Sequence, residues 1–291
     1  MAQFAHLTKA VGSHSSVGRA LRAIGHRAFF AMYGRDFSLR RSLRLFAPNS
    51  EGNRKALTDL TLQSASQTFP FLAQFAAAYC ERQAKEFPAE DFCAHLEGRA
   101  NAQKLRALFI KHGSDKSTLH NYHDVYGPIL ARPSKIKNIL EIGLGTNNTD
   151  VTSNMGRQGR PGASLRAFRD FLPNANIYGA DVDKRILFQE ERIRTFFVDQ
   201  TSIESFSELA QLDVMFDLII DDGLHSPNAN IAVLLFGLKK ILPGGWLVVE
   251  DIVDAARPVW QVISSLLPAG YQSYLVEAKN GLVFAVEKRA W

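Results

Sequence analysis

At 291 residues, 46% hydrophobic and 22% charged, the chain has the composition of a folded globular protein. That excludes global disorder and suits one large domain, or a main domain with a helical appendage. Two cysteines, Cys80 and Cys93, are too few for a disulfide framework and lack partners at zinc-ligand spacing, so both read as ordinary thiols. No apolar run reaches the roughly 18 residues that span a bilayer, and the N-terminus lacks the apolar core of a signal peptide, so a cytoplasmic location is expected.

The formal charge of +5 is unevenly placed, with ten lysines and arginines against three acids up to Leu60. Residues 17–46 read as a basic amphipathic helix broken near Gly25 and Gly34, with Phe29, Phe30, Met32 and Tyr33 available to pack or to make a peripheral membrane contact. A solvated face of a helical lid or an oligomer contact competes with that reading. An organellar targeting peptide is also Arg-rich and acid-poor, but this basic stretch runs long for one.

Residues 54–112 are helical in pattern and end at His112-Gly113. A polar loop follows to Tyr122, carrying His112 and His120 at its two ends, and His123 opens a short helix before Pro133. From Ile136 strands alternate with helices, with strands expected at 138–142, 177–180, 193–198, 216–220 and 245–249, and an antiparallel pair at 272–276 and 282–286. The expected fold is α/β: a Rossmann-like doubly wound sheet, mostly parallel with an antiparallel C-terminal strand, plus an N-terminal helical region. The expected division is 1–112 for the helical auxiliary or lid region and 113–291 for the nucleotide-binding domain.

The most telling stretch is Phe216-Asp-Leu-Ile-Ile-Asp-Asp-Gly-Leu-His225, an apolar run that ends in two carboxylates with an imidazole three residues on. Ligands of parallel sheets gather where the carboxyl ends of strands open into a crevice. A second run, Trp246-Leu-Val-Val-Glu-Asp-Ile252, also stops on two acids, Glu250 and Asp251, and two acidic strand tips in one sheet can converge on a hard cation. The first strand gives Ile139-Leu-Glu-Ile-Gly-Leu-Gly145. Gly143 and Gly145 there allow close backbone approach to a ligand, and Glu141 suits a cationic ligand better than a pyrophosphate. The next strand reaches Asp181 and Asp183, where a carboxylate can accept both hydroxyls of a ribose, and the third ends in Asp199-Gln200, placed to meet an adenine edge. Taken singly these signals have bland explanations. Asp221 could cap or anchor the following loop, His225 could be structural, and Glu250 and Asp251 could be helix N-terminal acids.

Several motifs together carry a resemblance. They are His112-Gly-Ser-Asp-Lys116 with Asn121-Tyr122, Leu140-Glu-Ile-Gly, Gly162-Ala-Ser-Leu-Arg166, Phe171-Leu-Pro-Asn-Ala175, Ile177-Tyr-Gly-Ala-Asp181, Arg194-Thr-Phe with Asp199-Gln200, Ile220-Asp-Asp-Gly-Leu-His225, and Pro243-Gly-Gly with Glu250-Asp251. Over about residues 110–255 the chain resembles class I S-adenosylmethionine-dependent methyltransferases. More narrowly it is similar to the metal-dependent sugar O-methyltransferases of macrolide biosynthesis, the mycinamicin and macrocin type. Residues 1–105 carry no comparable resemblance.

The resemblance implies Asp222, Glu250 and Asp251 as ligands of Mg2+ and His225 as general base. It implies S-adenosyl-L-methionine as cofactor, contacted by Asp115, Lys116, Glu141, Gly143, Gly145, Ser164, Asp181, Asp199 and Gln200, with Asp221 as a further candidate. It also implies a sugar or other small-molecule or glycan acceptor and a homo-oligomer. The long polar loop 146–161 departs from the family pattern; its Arg157 and Arg160 either bind an anionic substrate or are merely solvated.

Four other classes compete with this reading. A metal-dependent phenol or catechol O-methyltransferase needs the same cation. An NAD-dependent oxidoreductase wants a third glycine where Asn148 stands. A nucleic-acid methyltransferase lacks a definable stacking platform, so no nucleic-acid partner is expected. A non-catalytic glycan-binding module would leave the acidic cluster idle.

Overall fold

The computed structural model describes residues 38–290, which form two compact units, one ending at Leu72 and one beginning at Ala73. Most of the expected basic helix, with Phe29, Phe30, Met32 and Tyr33, lies outside the described residues. Helical residues 38–42 and a 3-10 turn, Arg44–Phe46, precede helix α1, Arg54–Tyr79, within which the division at Leu72 falls and which begins where the Asn53 carboxamide accepts the Lys55 amide at 2.9 Å. Among the described residues no helix is long and apolar enough to cross a membrane.

The second unit is built on one nine-stranded sheet. In chain order its elements are β1 (Lys85–Pro88), α2 (Ala89–His95), α3 (Arg99–His112), α4 (His123–Ile129), β2 (Asn138–Ile142), α5 (Ala163–Phe171), β3 (Asn176–Asp181), β4 (Gln189–Glu190), β5 (Ile193–Phe197), α6 (Ser207–Gln211), β6 (Phe216–Asp221), α7 (Pro227–Lys240), β7 (Ile241–Ile252), α8 (Arg257–Leu266), β8 (Tyr271–Ala278) and β9 (Gly281–Lys288). The strand order is β1-β8-β9-β7-β6-β2-β3-β5-β4. β2 pairs in parallel with β3 on one side and β6 on the other, so the chain reverses its direction of travel across the sheet at β2. That switch point is where a parallel sheet opens a crevice. β9 runs antiparallel between β7 and β8, as expected of the C-terminal pair.

Side chains of successive strand residues feed two separate cores. Ile139, Leu218, Ile220 and Val248 pack with Leu105 of α3, Val125 of α4 and Leu165 of α5. Leu140, Ile219, Leu247 and Val249 pack with Leu209 of α6, Val233 of α7 and Trp260 of α8. Both faces of the sheet are therefore covered, which is why these strands read as unbroken apolar runs. The α/β fold class is as expected, and every strand expected from 138 onward is present, with β7 running longer at both ends than the expected 245–249.

The expectation that 54–112 is helical throughout fails at β1. Lys-Glu-Phe-Pro has one apolar residue in four and gives no alternation to read. It is an edge strand that pairs with β8 and stops at Pro88. The two-residue β4, antiparallel to β5, was likewise not anticipated.

Candidate active site

The carboxyl ends of β2, β3, β5, β6 and β7 open into a cavity of about 1170 Å³. Its lining includes Asp115, Gly143, Gly145, Asp181, Asp199, Gln200, Asp222, His225 and Asp251 among the residues anticipated from sequence. The other five, Lys116, Glu141, Ser164, Asp221 and Glu250, are not in the lining, and each is under 9% exposed.

Glycine is required at the floor. Gly143 has φ +97°, and a β-carbon there would run into the backbone carbonyl of Asp222. Gly145, at φ +74°, has the Met155 thioether where its β-carbon would lie. The Asp222 amide donates to the Ile142 carbonyl at 2.8 Å, so the β2–β6 ladder runs one residue past β6 and locks the glycine turn against the acidic tip.

The acidic tip has two parts. After β6 come Asp222, Gly223, Leu224 and His225, before Ser226 and Pro227 open α7, proline being suited to a first helical turn. His225 sits at φ +55°, unusual for a residue with a side chain. On β7 the pairing with β9 slips between Val249 and Ile252, and Asp251 has φ +54°. A bulge of this kind re-aims side chains. Two left-handed non-glycine residues facing one cavity are backbone strain placed at a site.

Asp222, His225 and Asp251 each offer a ligand atom, and these atoms lie within 4.8 Å of one another. The nearest His225–Asp251 approach is 3.8 Å, from Nε2, while Nδ1 has no hydrogen-bond partner.

The loop between α3 and α4 reaches over this tip. Gly113 ends α3 in the left-handed region, the Ser114 amide returns to the Phe109 carbonyl at 2.9 Å, and the Ser114 hydroxyl accepts the Lys116 amide at 3.3 Å. The chain thus turns sharply enough to send Lys116 inward. Its Nζ lies 2.6 Å from Asp222 Oδ2 and 3.1 Å from Glu141 Oε1, and it donates to Glu250 as well. Burial pulls the ammonium pKa down, but Asp222, Glu250 and Glu141 outweigh it, so Lys116 stays charged. Tyr126 donates its hydroxyl to the other oxygen of Glu250, and Tyr122 donates to Asp251. Stacked on Tyr122 is His120, with ring centroids 4.5 Å apart. From the far side the β8–β9 turn braces the loop. Lys279 donates its amide to Asn121 Oδ1 at 2.7 Å, and Asn280 donates to the Leu119 carbonyl at 2.8 Å.

Much of the remaining polarity is spent within the chain. Ser164 donates to Glu141 at 2.6 Å. Asp181 accepts the amides of Leu144 at 2.7 Å and Asp183 at 2.8 Å, and the side chain of Asp183 holds Thr146, Asn148 and Arg185. Gln200 donates to Asp221 at 2.6 Å and accepts the Leu224 amide at 2.8 Å, so both ends of its carboxamide brace the acidic loop. Thr201 donates its amide and its hydroxyl to Asp199. Asp221 is fully buried, and that burial, opposed by the Gln200 bond and reinforced by Asp222, pushes its pKa up to about 7.

Residues 150–155 of the long loop line the cavity and are tied down by Arg185 on Asp150 at 2.9 Å and by the Ser153 hydroxyl on the Gly223 carbonyl at 2.8 Å. Arg157 and Arg160 are exposed and are not in the lining. Tyr122 and Tyr126 were not assigned roles from sequence. Tyr122 stood in one of the resemblance motifs, Asn121-Tyr122, without a role, and Tyr126 lies four residues on at the start of a short helix, which reads equally well as core packing.

The donor set fits a hard divalent cation: the ligand atoms of Asp222, His225 and Asp251 cluster together, and Glu250, next to Asp251, lies behind them with its oxygens on Lys116 and Tyr126. Gly143, Gly145, Asp181, Asp199 and Gln200 line one cavity, a set that suits a nucleoside.

No family model matches the chain. It is 29% identical over 177 residues to the 8-demethyl-8-alpha-L-rhamnosyl tetracenomycin-C 2'-O-methyltransferase of Streptomyces olivaceus, covering 60% of this chain and 44% of that protein. It is 38% identical over 98 residues to the mycinamicin VI 2''-O-methyltransferase of Micromonospora griseorubida, covering 33% and 24% respectively. The chain thus spans under half the length of these curated relatives. Among solved structures, the MycE methyltransferase of the mycinamycin biosynthetic pathway, in complex with Mg and SAH, superposes with a TM-score of 0.50 at 25% identity over 64% of this chain and 55% of that one. The chain has the fold of a class I methyltransferase. Within that methyltransferase fold, the similarity to sugar O-methyltransferases expected from the motifs is borne out.

Proposed function

We propose that the chain is an S-adenosylmethionine-dependent, Mg2+-dependent O-methyltransferase acting on a hydroxyl of a sugar or glycosylated metabolite. One observation carries the reading: Asp222, His225 and Asp251 converge at the mouth of a glycine-floored cavity at the sheet's switch point. The named activities of the similar Streptomyces and Micromonospora enzymes support the sugar hydroxyl as acceptor.

Asp222 and Asp251, with Glu250 beside them, would hold the cation, and the turn around Gly143 and Gly145, with Asp181 and Asp199, would hold the nucleoside. When bound, the cofactor supplies an electrophilic methyl group and the cation the Lewis acidity that makes a hydroxyl easier to deprotonate. His225 accepts the hydroxyl proton at Nε2, the nitrogen turned toward Asp251. Tyr122 and Tyr126 fix the two carboxylates of β7, so the donors are aligned before the acceptor arrives. The loop tied by Arg185–Asp150 and Ser153–Gly223 roofs the cavity and limits water.

The test is isothermal titration with S-adenosylhomocysteine, in Mg2+ and in EDTA, on the wild type and Asp222→Ala, followed by an acceptor screen among deoxysugar glycosides. S-adenosylhomocysteine binding with a Mg2+ site lost in Asp222→Ala is the expected result. A folded protein that binds no S-adenosylhomocysteine ends the proposal.

A further inference from the structure

Lys116 is the only buried basic side chain among the described residues. Its Nζ touches Asp222 at 2.6 Å and Glu250, and both are assigned to the cation in the reading above. Its third carboxylate partner, Glu141 at 3.1 Å, is not among the assigned ligands and is held separately by Ser164. The backbone of Lys116 is pinned at both ends, by the Ser114 hydroxyl on its amide and by the Tyr122 amide on its carbonyl at 2.9 Å. These bonds order the loop around Lys116, and the ammonium keeps Glu141 as a partner if Asp222 and Glu250 turn elsewhere.

An ammonium and a divalent ion draw on the same carboxylate oxygens, and two cations a few ångströms apart repel strongly where burial limits screening. We propose that Lys116 is a built-in counter-cation that competes with the divalent ion for Asp222 and Glu250, and so sets how tightly the site holds that ion. This rests on the metal reading of the preceding section and deepens it. Lys116 is a positioning residue in this role: it does not line the cavity, and it acts through the carboxylates it touches.

The competing role is simple ion-pair glue, and the two differ in sign. As glue, loss of the ammonium loosens Asp222 and Glu250 and weakens ion binding. As a competitor, its loss frees both carboxylates and strengthens binding. The experiment uses the full chain with Mn2+ alone as the probe, free ion being read by electron paramagnetic resonance, on wild type, Lys116→Met, Lys116→Gln and Lys116→Arg. Circular dichroism of each variant reports folding. Both neutral variants are expected to bind Mn2+ about tenfold more tightly or better, with Lys116→Arg within about threefold of wild type because the charge is kept.

Lys116→Gln can still donate to the carboxylates, so it decides the matter if Lys116→Met does not fold. Wild type that binds Mn2+, with neutral variants that bind it equally or more weakly, overturns the competition and leaves the metal reading standing. Failure of wild type and both neutral variants to bind Mn2+ overturns both. Binding only in the neutral variants supports the competition.

Discussion

Tyr122 and Tyr126 make the same chemical bond, a phenol hydroxyl donated to a β7 carboxylate, in two different surroundings, and this makes them a matched pair. Tyr126 is 0% exposed and Glu250 is 1% exposed. In Tyr126→Phe the ring keeps its edge-on packing with Phe168, at 5.3 Å between centroids, while one oxygen of a buried carboxylate loses its donor. The space left by a single hydroxyl is too small for a water to replace it. A hydrogen bond to a charged group is worth about 1.5–3 kcal/mol, and the unpaired oxygen puts the loss near the top of that range, about 2–3 kcal/mol. With an m-value of about 3 kcal/mol/M, the urea midpoint falls by about 0.7–1 M.

In Tyr122→Phe the partner carboxylate of Asp251 is 24% exposed, so water can replace the hydroxyl and the expected loss is about 0.5–1 kcal/mol. Urea unfolding of both variants in EDTA, so that no bound cation contributes, measures the contrast. A Tyr126→Phe cost below about 0.5 kcal/mol, or equal costs for the two variants, would refute the view that Tyr126 satisfies a buried charge.

The glycine floor, the proton acceptor, the roof and the loop each give a further expectation. Gly143→Ala places a β-carbon against the Asp222 carbonyl at a left-handed φ, at a cost of about 1–3 kcal/mol of strain. It should lower S-adenosylhomocysteine affinity by more than about tenfold while far-ultraviolet circular dichroism stays native. His225→Gln should bind cofactor and Mg2+ normally but lose about 100-fold or more in kcat in a methyl-transfer assay; unchanged kcat would remove it as the base. Asp150→Asn breaks an ion pair whose side chains are 52% and 70% exposed, so stability should move by less than about 1 kcal/mol. The same variant should release S-adenosylhomocysteine up to about fivefold faster in stopped flow. His123 has its pKa lowered by burial, with Asp124 opposing and Arg106 adding to the shift. The folded state then binds fewer protons than the unfolded one, so stability rises with pH and is lost as pH falls below about 6.5. His123→Gln should flatten the urea-midpoint profile between about pH 7 and 5.

The sheet was legible because strands buried on both faces leave unbroken apolar runs, as in Phe216–Asp221, whereas β1, with Phe87 alone among polar neighbours at an edge, left no such trace. At the site, residues at strand tips were readable from position along the chain: Asp222, His225 and Asp251 do meet. Sequence position does not report which way a side chain turns. Glu250 and Asp251 are adjacent, yet the bulge and the left-handed φ of Asp251 bring one to Tyr126 and the other to Tyr122. Gln200, read as an adenine contact, has both ends engaged by Asp221 and Leu224, a pairing across more than twenty positions that no local motif encodes.

The turn between β8 and β9 touches the Leu119–Asn121 stretch across 158 to 161 positions of chain. Contacts at such separation form late in folding, since the chain between must be ordered before they repay its closure. During synthesis the acidic tips of β6 and β7 are thus made well before the hairpin that holds the lysine-bearing loop against them. The proposed methyl-transfer activity should accordingly lag behind the appearance of secondary structure in a refolding experiment, with the final step timed by the docking of residues 278–281.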